Sequence, residues 1–195
     1  MPGKRIDRYG AIAQSFHWLT AVLVLAAFTL GPGGSEERVY AAARDADRQL
    51  HESLGLAVFV LVILRLAWRA LDEHPDPPLV PRWMGLVAKL LQAMLYVLLL
   101  AVPLTAVTGA WLEGHPLTLL AGLRVAPLLP DAHGPGAAMA ELHGWLGDAL
   151  LWLAGFHAVA ALHHHFLLKD GVLVSMLPRW MARPRPAEPP PFERR

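Results

Sequence analysis

Imidazoles are scarce inside apolar helices, yet the stretch ELHGWLGDALLWLAGFHAVAALHHHF, from Glu141 to Phe166, carries five of the ten histidines in the chain. His143 and His157 within it are fourteen residues apart. On an α-helix that spacing is about 1400°, within about 40° of four full turns, so the two rings share one face roughly 21 Å apart along the axis. SFHWL places His17 in the inner half of the first apolar stretch, and LHESLG places His51 at the outer start of the second. Those two stretches run in opposite directions, so His17 matches His157 in depth and His51 matches His143. A single polar side chain at such a depth could serve as an interhelical hydrogen bond. Two opposed pairs at two depths suit a different chemistry, in which each pair ligates one haem iron from both sides inside a helix bundle. Neutral imidazole is a good iron ligand, and porphyrin is a large apolar body that fills the space between helices. The chain has no cysteine, which excludes disulfides, thiolate metal sites, iron–sulfur clusters and thiol nucleophiles but leaves b-type haem open.

Small and charged residues sit at related spacings. Gly55 follows His51 by four, Gly144 and Gly147 flank His143, and Gly155 precedes His157 by two. A flat macrocycle between helices needs side chains removed nearby, although glycine is also common wherever membrane helices pack. Arg65 lies fourteen residues after His51, on the same face at the inner end, with Arg69 one turn on. Both are candidates to bind haem propionates, and both also obey the general bias of basic residues toward the cytoplasm. Asp148 falls in the same apolar stretch as His143 and His157 and reads as a buried carboxylate, either a structural partner or a proton relay.

The elements that position these residues follow from hydropathy and charge. The chain is 55% hydrophobic and 17% charged, the balance of a membrane protein rather than a soluble one. Helices are expected at about residues 11–31, 50–71, 85–112 and 141–168, each long enough to cross a hydrocarbon core of roughly 30 Å. The first has a polar SFHW start and no small-residue cleavage pattern, so it is not expected to be a cleaved signal peptide. Thirteen of the seventeen lysines and arginines fall in the N-terminal segment, the second connection and the C-terminal tail; four fall in the first and third connections. The positive-inside rule then puts both termini in the cytoplasm. Residues 1–180 are expected to form one transmembrane domain, an all-α bundle of four helices enclosing two haems, and residues 181–195 a disordered tail rich in proline and arginine. The third connection, Glu113 to Glu141, is partly apolar and is expected to cap the outer end. No internal repeat, phosphate loop, catalytic triad or nucleic-acid motif is present, and no nucleic-acid partner is expected.

With those residues in view the sequence resembles bacterial cytochrome b561. RYGAIAQSFHWLTAVLVLAAF, LHESLGLAVFVLVILRLAWR, LLQAMLYVLLLAVPLTAVTGAW and the run from ELHGW to VSMLP carry the likeness, together with the HHxxxKD exit, over about residues 5–180. The resemblance implies a small four-helix dihaem cytochrome of the bacterial inner membrane, with His17, His51, His143 and His157 as axial ligands of two haem b groups. Some members of that family are superoxide oxidases, in which superoxide gives its electron at the outer haem and ubiquinone accepts electrons near the cytoplasmic end. His164 is then of interest. It lies seven residues after His157, about 700°, and so continues that face roughly 10 Å toward the cytoplasm. There it can hydrogen-bond a quinone carbonyl and supply a proton. His163 and His165 are expected at the interface, and His74, His115 and His133 in solvated loops.

Two other readings share many of these residues. An electron-transfer cytochrome b subunit, serving a dehydrogenase, a hydrogenase or a periplasmic cytochrome, would need the same four ligands. The first connection (residues 31–50) has three arginines against four acids, and the third (113–141) one arginine against three acids. An anionic substrate therefore gains no general steering, and only local placement of Arg44, Arg48 or Arg124 would help it. A metal-ion transporter would also use intramembrane histidines, but transporters concentrate ligands at the midplane rather than at two depths.

Overall fold

The computed structural model describes residues 8–72, 75 and 80–181. His74, Lys4, Arg5 and all but the first residue of the expected 181–195 tail lie outside that range. The elements run α1 (Ala11–Leu30), the short α2 (Glu36–Val39), α3 (Asp45–Leu71), α4 (Arg82–Leu112), a hairpin of β1 (Leu117–Thr118) and β2 (Arg124–Val125), α5 (His133–His163) and the short α6 (Val172–Met176). A π-helical turn, His164–Leu168, links α5 to the segment before α6. α1, α3, α4 and α5 are long and apolar enough to cross a membrane, and the described residues are mostly helical, as expected.

Three of these helices start earlier than hydropathy alone suggests, α3 and α5 by more than a turn. Asp45 and Asp47 occupy the first turn of α3, where carboxylates meet the positive end of the helix dipole. Arg48 then pairs with Asp45 at 2.8 Å and Glu52 at 3.0 Å, three residues back and four ahead, and locks the added turns. α5 begins at His133, its third residue Pro135 sitting where a helix needs no amide. Those early turns pack on α4. A Cβ at Gly109 would lie 3.2 Å from the Ala140 nitrogen and 3.3 Å from the Gly136 carbonyl, so a larger residue would push the two helices apart by a few tenths of an ångström.

The tightest packing is a layer of Val58, Val62, Leu98, Leu99 and Leu150 from α3, α4 and α5. Val58 is seven residues beyond His51, and Leu150 is midway between His143 and His157. An aliphatic plug therefore separates the two histidine levels. At the end carrying the first and last described residues, α6 is tied to α1: Tyr9 N–H and Gln14 Nε2 both donate to the Ser175 carbonyl, and Trp18 Nε1 donates to that of Met176 at 2.8 Å. At the other end the hairpin lies against α3. Glu52 accepts the Thr118 N–H at 2.5 Å, and Ser53 Oγ accepts the Leu120 N–H at 2.8 Å. The third connection is thus a cap, fastened beside His51.

Candidate functional site

The histidines meet in twos. His51 on α3 faces His143 on α5 with ring centroids 6.0 Å apart and planes at 86°. His17 on α1 faces His157 on α5 at 6.2 Å and 70°. An iron held between two imidazole nitrogens at about 2 Å each, the length of the corresponding bond to zinc, puts ring centroids about 6 Å apart. Both pairs fit that separation. Among the described residues no group of three or more histidines and carboxylates converges as a bare-ion site.

At the hairpin-end pair the imidazoles are also set for ligation. His51 Nδ1–H donates to the Ala27 carbonyl and His143 Nδ1–H to the Val102 carbonyl, each at 2.8 Å. A ligating histidine generally spends its second nitrogen this way, which fixes the tautomer and leaves Nε2 for the metal. The backbone makes these acceptors available. Ala27 is in the last turn of α1, where carbonyls lack helical partners, and the Gly31 N–H that would reach it bonds Phe28 instead. The Val102 carbonyl, inside α4, accepts from two side chains, taking Thr105 Oγ1–H at 2.9 Å as well as the His143 ring. Gly31 matters as well, since a Cβ there would come within 3.4 Å of His51 Cε1.

The second pair has different company. Arg65 Nη2 donates to His17 Nδ1 at 3.1 Å, and the guanidinium lies 5.4 Å from the Tyr96 ring centroid. Arg65 and Arg69 line one small cavity with Tyr9, Trp68 and Tyr96. The two arginines proposed for propionates are therefore neighbours at the terminal end of the bundle, Arg65 turned inward and Arg69 exposed.

Gly55 and Gly147 each lie four residues beyond a hairpin-end histidine, on its helical face, and a Cβ at either would meet nothing within 4 Å. That open strip beside both histidines suits a flat group. Gly155 is also open but lies about 160° from His157, on the outward side of α5, so it plays no part in the cradle. Asp148 is corrected too. It is exposed, nine residues and about half a turn out of phase from His157, between outward-facing Trp145 and Trp152.

His164 opens the π-helical turn and donates Nδ1–H to Asp170 Oδ2 at 2.5 Å, a partner that sequence reasoning missed although Asp170 ends the HHxxxKD motif. His163 is exposed, and His165 packs edge-on against Phe166. His115 lies in the loop after α4, as expected, but is partly enclosed, and His133 is exposed, as expected, but belongs to a helix. His115 stacks on Tyr40 at 3.5 Å and bonds Glu36 at 2.8 Å, while His133 starts α5 and bonds Glu113 at 2.8 Å. Burial of Tyr40, with the Glu52 carboxylate nearby, pushes its pKa up to about 12, so its ring stays neutral beneath the Arg48 guanidinium. Arg48 is matched by two carboxylates and Arg44 by Asp47 at 3.1 Å; Arg124 sits on exposed β2.

The sequence matches the family described as prokaryotic cytochrome b561 over residues 8–179. It is similar to "Cytochrome b561 homolog 2" of Escherichia coli, 31% identical over 172 residues that cover 88% of this chain and 92% of the relative. "Cytochrome b562" of Cereibacter sphaeroides is 33% identical over 175 residues, 87% of this chain and 94% of that one. A Yersinia pestis protein named "Probable superoxide oxidase CybB" is 26% identical over 180 residues, 88% and 97% of the two chains.

Proposed function

This chain belongs to the prokaryotic cytochrome b561 family, and from that premise we propose that it oxidises superoxide at the outer face of the bacterial inner membrane and reduces ubiquinone within it. Membership itself carries membrane electron transfer with haem b, oxidoreductase activity and a multi-pass position in the inner membrane. Two pairs of facing imidazoles at two depths, 6.0 and 6.2 Å between centroids, support a two-haem route for the electrons.

Haem b supplies reversible one-electron chemistry at its iron. In the proposed arrangement His51 and His143 hold one haem near the periplasm, and His17 and His157 hold the other near the cytoplasm. Arg65 and Arg69 bind propionates at the cytoplasmic end. A carboxylate is a stronger partner for a guanidinium than a neutral ring nitrogen, so a propionate would draw Arg65 away from His17 Nδ1 and that ring would be free to ligate. His164 meets the quinone head group. Two superoxide anions each give up one electron and leave as oxygen; ubiquinone takes the two electrons with two protons to become quinol. The orientation, with both termini in the cytoplasm, rests on the thirteen-to-four distribution of lysine and arginine. The superoxide substrate is supported by the name of the Yersinia relative.

The acidic excess of the two outer connections favours a second reading, in which a cationic electron-donor protein docks there. Purified protein separates the two. The first reading expects two b-type haems per chain by pyridine haemochrome, haem reduction on adding a superoxide source, and ubiquinone consumption with no other protein present. Haems that superoxide leaves oxidised would sink the superoxide assignment and leave the docking subunit. One haem or none per chain would sink both.

A further inference from the structure

Asp170 stands outside the roles assigned so far, yet it is the partner of the ring proposed to meet quinone. Its Oδ2 accepts His164 Nδ1–H at 2.5 Å. The carboxylate is itself held, with Oδ1 accepting the Val172 N–H at 3.1 Å, and its own N–H donates to the His164 carbonyl at 3.2 Å. Between them Lys169 takes a left-handed backbone, φ 53°, which folds the chain back so that residue 170 reaches a ring six positions earlier. Both side chains are largely enclosed, 15% and 20% exposed. A carboxylate so placed decides which ring nitrogen keeps a hydrogen and which way the ring faces. Here it keeps hydrogen on Nδ1 whether the ring is neutral or cationic, and every proton exchanged with a substrate must pass through Nε2.

We infer that Asp170 is the positioning residue of the quinone site, holding His164 so that Nε2 alone hydrogen-bonds and protonates the quinone oxygen. The inference rests on the reading that His164 meets quinone. In the step itself the Nε2–H bond of the imidazolium breaks as an O–H bond forms on quinone, and the ring is left neutral with its hydrogen on Nδ1. The two electrons come from the one-electron donor at the outer side. Water at the cytoplasmic boundary returns a proton to Nε2, and a second transfer completes the quinol.

A double-mutant cycle in the purified, haem-loaded protein tests this, with ubiquinone as acceptor and superoxide or dithionite as reductant. Asp170→Asn keeps an oxygen for Val172, but its amide can also turn an N–H toward Nδ1 and impose the wrong tautomer. It is expected to slow quinone reduction about 10- to 100-fold, the usual range for losing such a supporting partner. The solvent isotope effect in heavy water should rise, and haem content and haem reduction by dithionite should be unchanged. Asp170→Glu should recover most of the rate. Combined with His164→Ala, Asp170→Asn should cause no further loss. Where Asp170→Asn loses haem, Asp170→Ser preserves the turn to Val172 while removing the ring contact, and the same cycle is read on it. A slow His164→Ala joined by an additive or absent effect at position 170 overturns this inference alone. Wild-type quinone kinetics in His164→Ala overturn the reading beneath it.

Discussion

At the scale of single residues, His51 and His143 are held by main chain. Ala27 and Val102 contribute only carbonyls, so no side-chain pattern announces them; Gly31, just past the end of α1, is the nearest hint a sequence carries. The four histidines, by contrast, were legible from spacing alone, because imidazole in an apolar helix is costly and helical phase relates positions along one face. The glycines divide for the same reason. Gly55 and Gly147 are in phase with their histidines, whereas Gly155 is not, and proximity in sequence could not separate them without that angle. A leucine at Gly55 or Gly147 would project into the space proposed for the outer macrocycle. Gly55→Leu and Gly147→Leu are each expected to lower the haem count from about two per chain to one, with His17 and His157 retaining theirs. Pyridine haemochrome and a redox titration showing the loss of one component check this; two haems retained in both variants would remove the cradle.

At the scale of elements, α5 carries most of the candidate site, with one histidine of each pair on a single face. Its opposite face was misread because an aspartate in an apolar run looks buried whichever way it points. Asp148 is five residues past His143 and nine before His157, within about 3 Å of the midpoint between the two histidine levels, and it faces outward with Trp145 and Trp152. Such a carboxylate opposes insertion by about 2.5–3.5 kcal/mol at a helix centre. Asp148→Leu should therefore raise the thermal stability of the protein in lipid nanodiscs, with haem content and electron-transfer rate unchanged. A slowed quinone reaction in that variant would restore the proton-relay role. The π-helical turn after His163 was also not legible, since the same residues support an i→i+4 or an i→i+5 ladder, and the choice is made by the Lys169 turn and Asp170.

For the molecule as a whole, function depends on direction. The two histidine levels, separated by the Val58–Val62–Leu150 layer, would be met by outer electrons in the proposed order, His51 and His143 first, only if the hairpin end faces the periplasm and the terminal end the cytoplasm. Charge supports that orientation. Arg8, Arg65, Arg69, Arg82, Lys89 and Lys169 gather toward one end of the helices, while Arg38, Arg44, Arg48 and Arg124 at the other are outnumbered by acids. The absence of native cysteine makes the orientation directly readable, because a single introduced thiol is the only target for a maleimide. Leu123 in the hairpin is 61% exposed, and Lys169 at the exit of α5 is exposed at the opposite end. A membrane-impermeant maleimide is expected to label Leu123→Cys in intact spheroplasts and Lys169→Cys only after permeabilisation. Haem spectra identical to wild type would show that neither change disturbs the bundle. The reversed labelling pattern would place His51 and His143 on the cytoplasmic side, and electrons from an outer donor would then have to enter at His17 and His157.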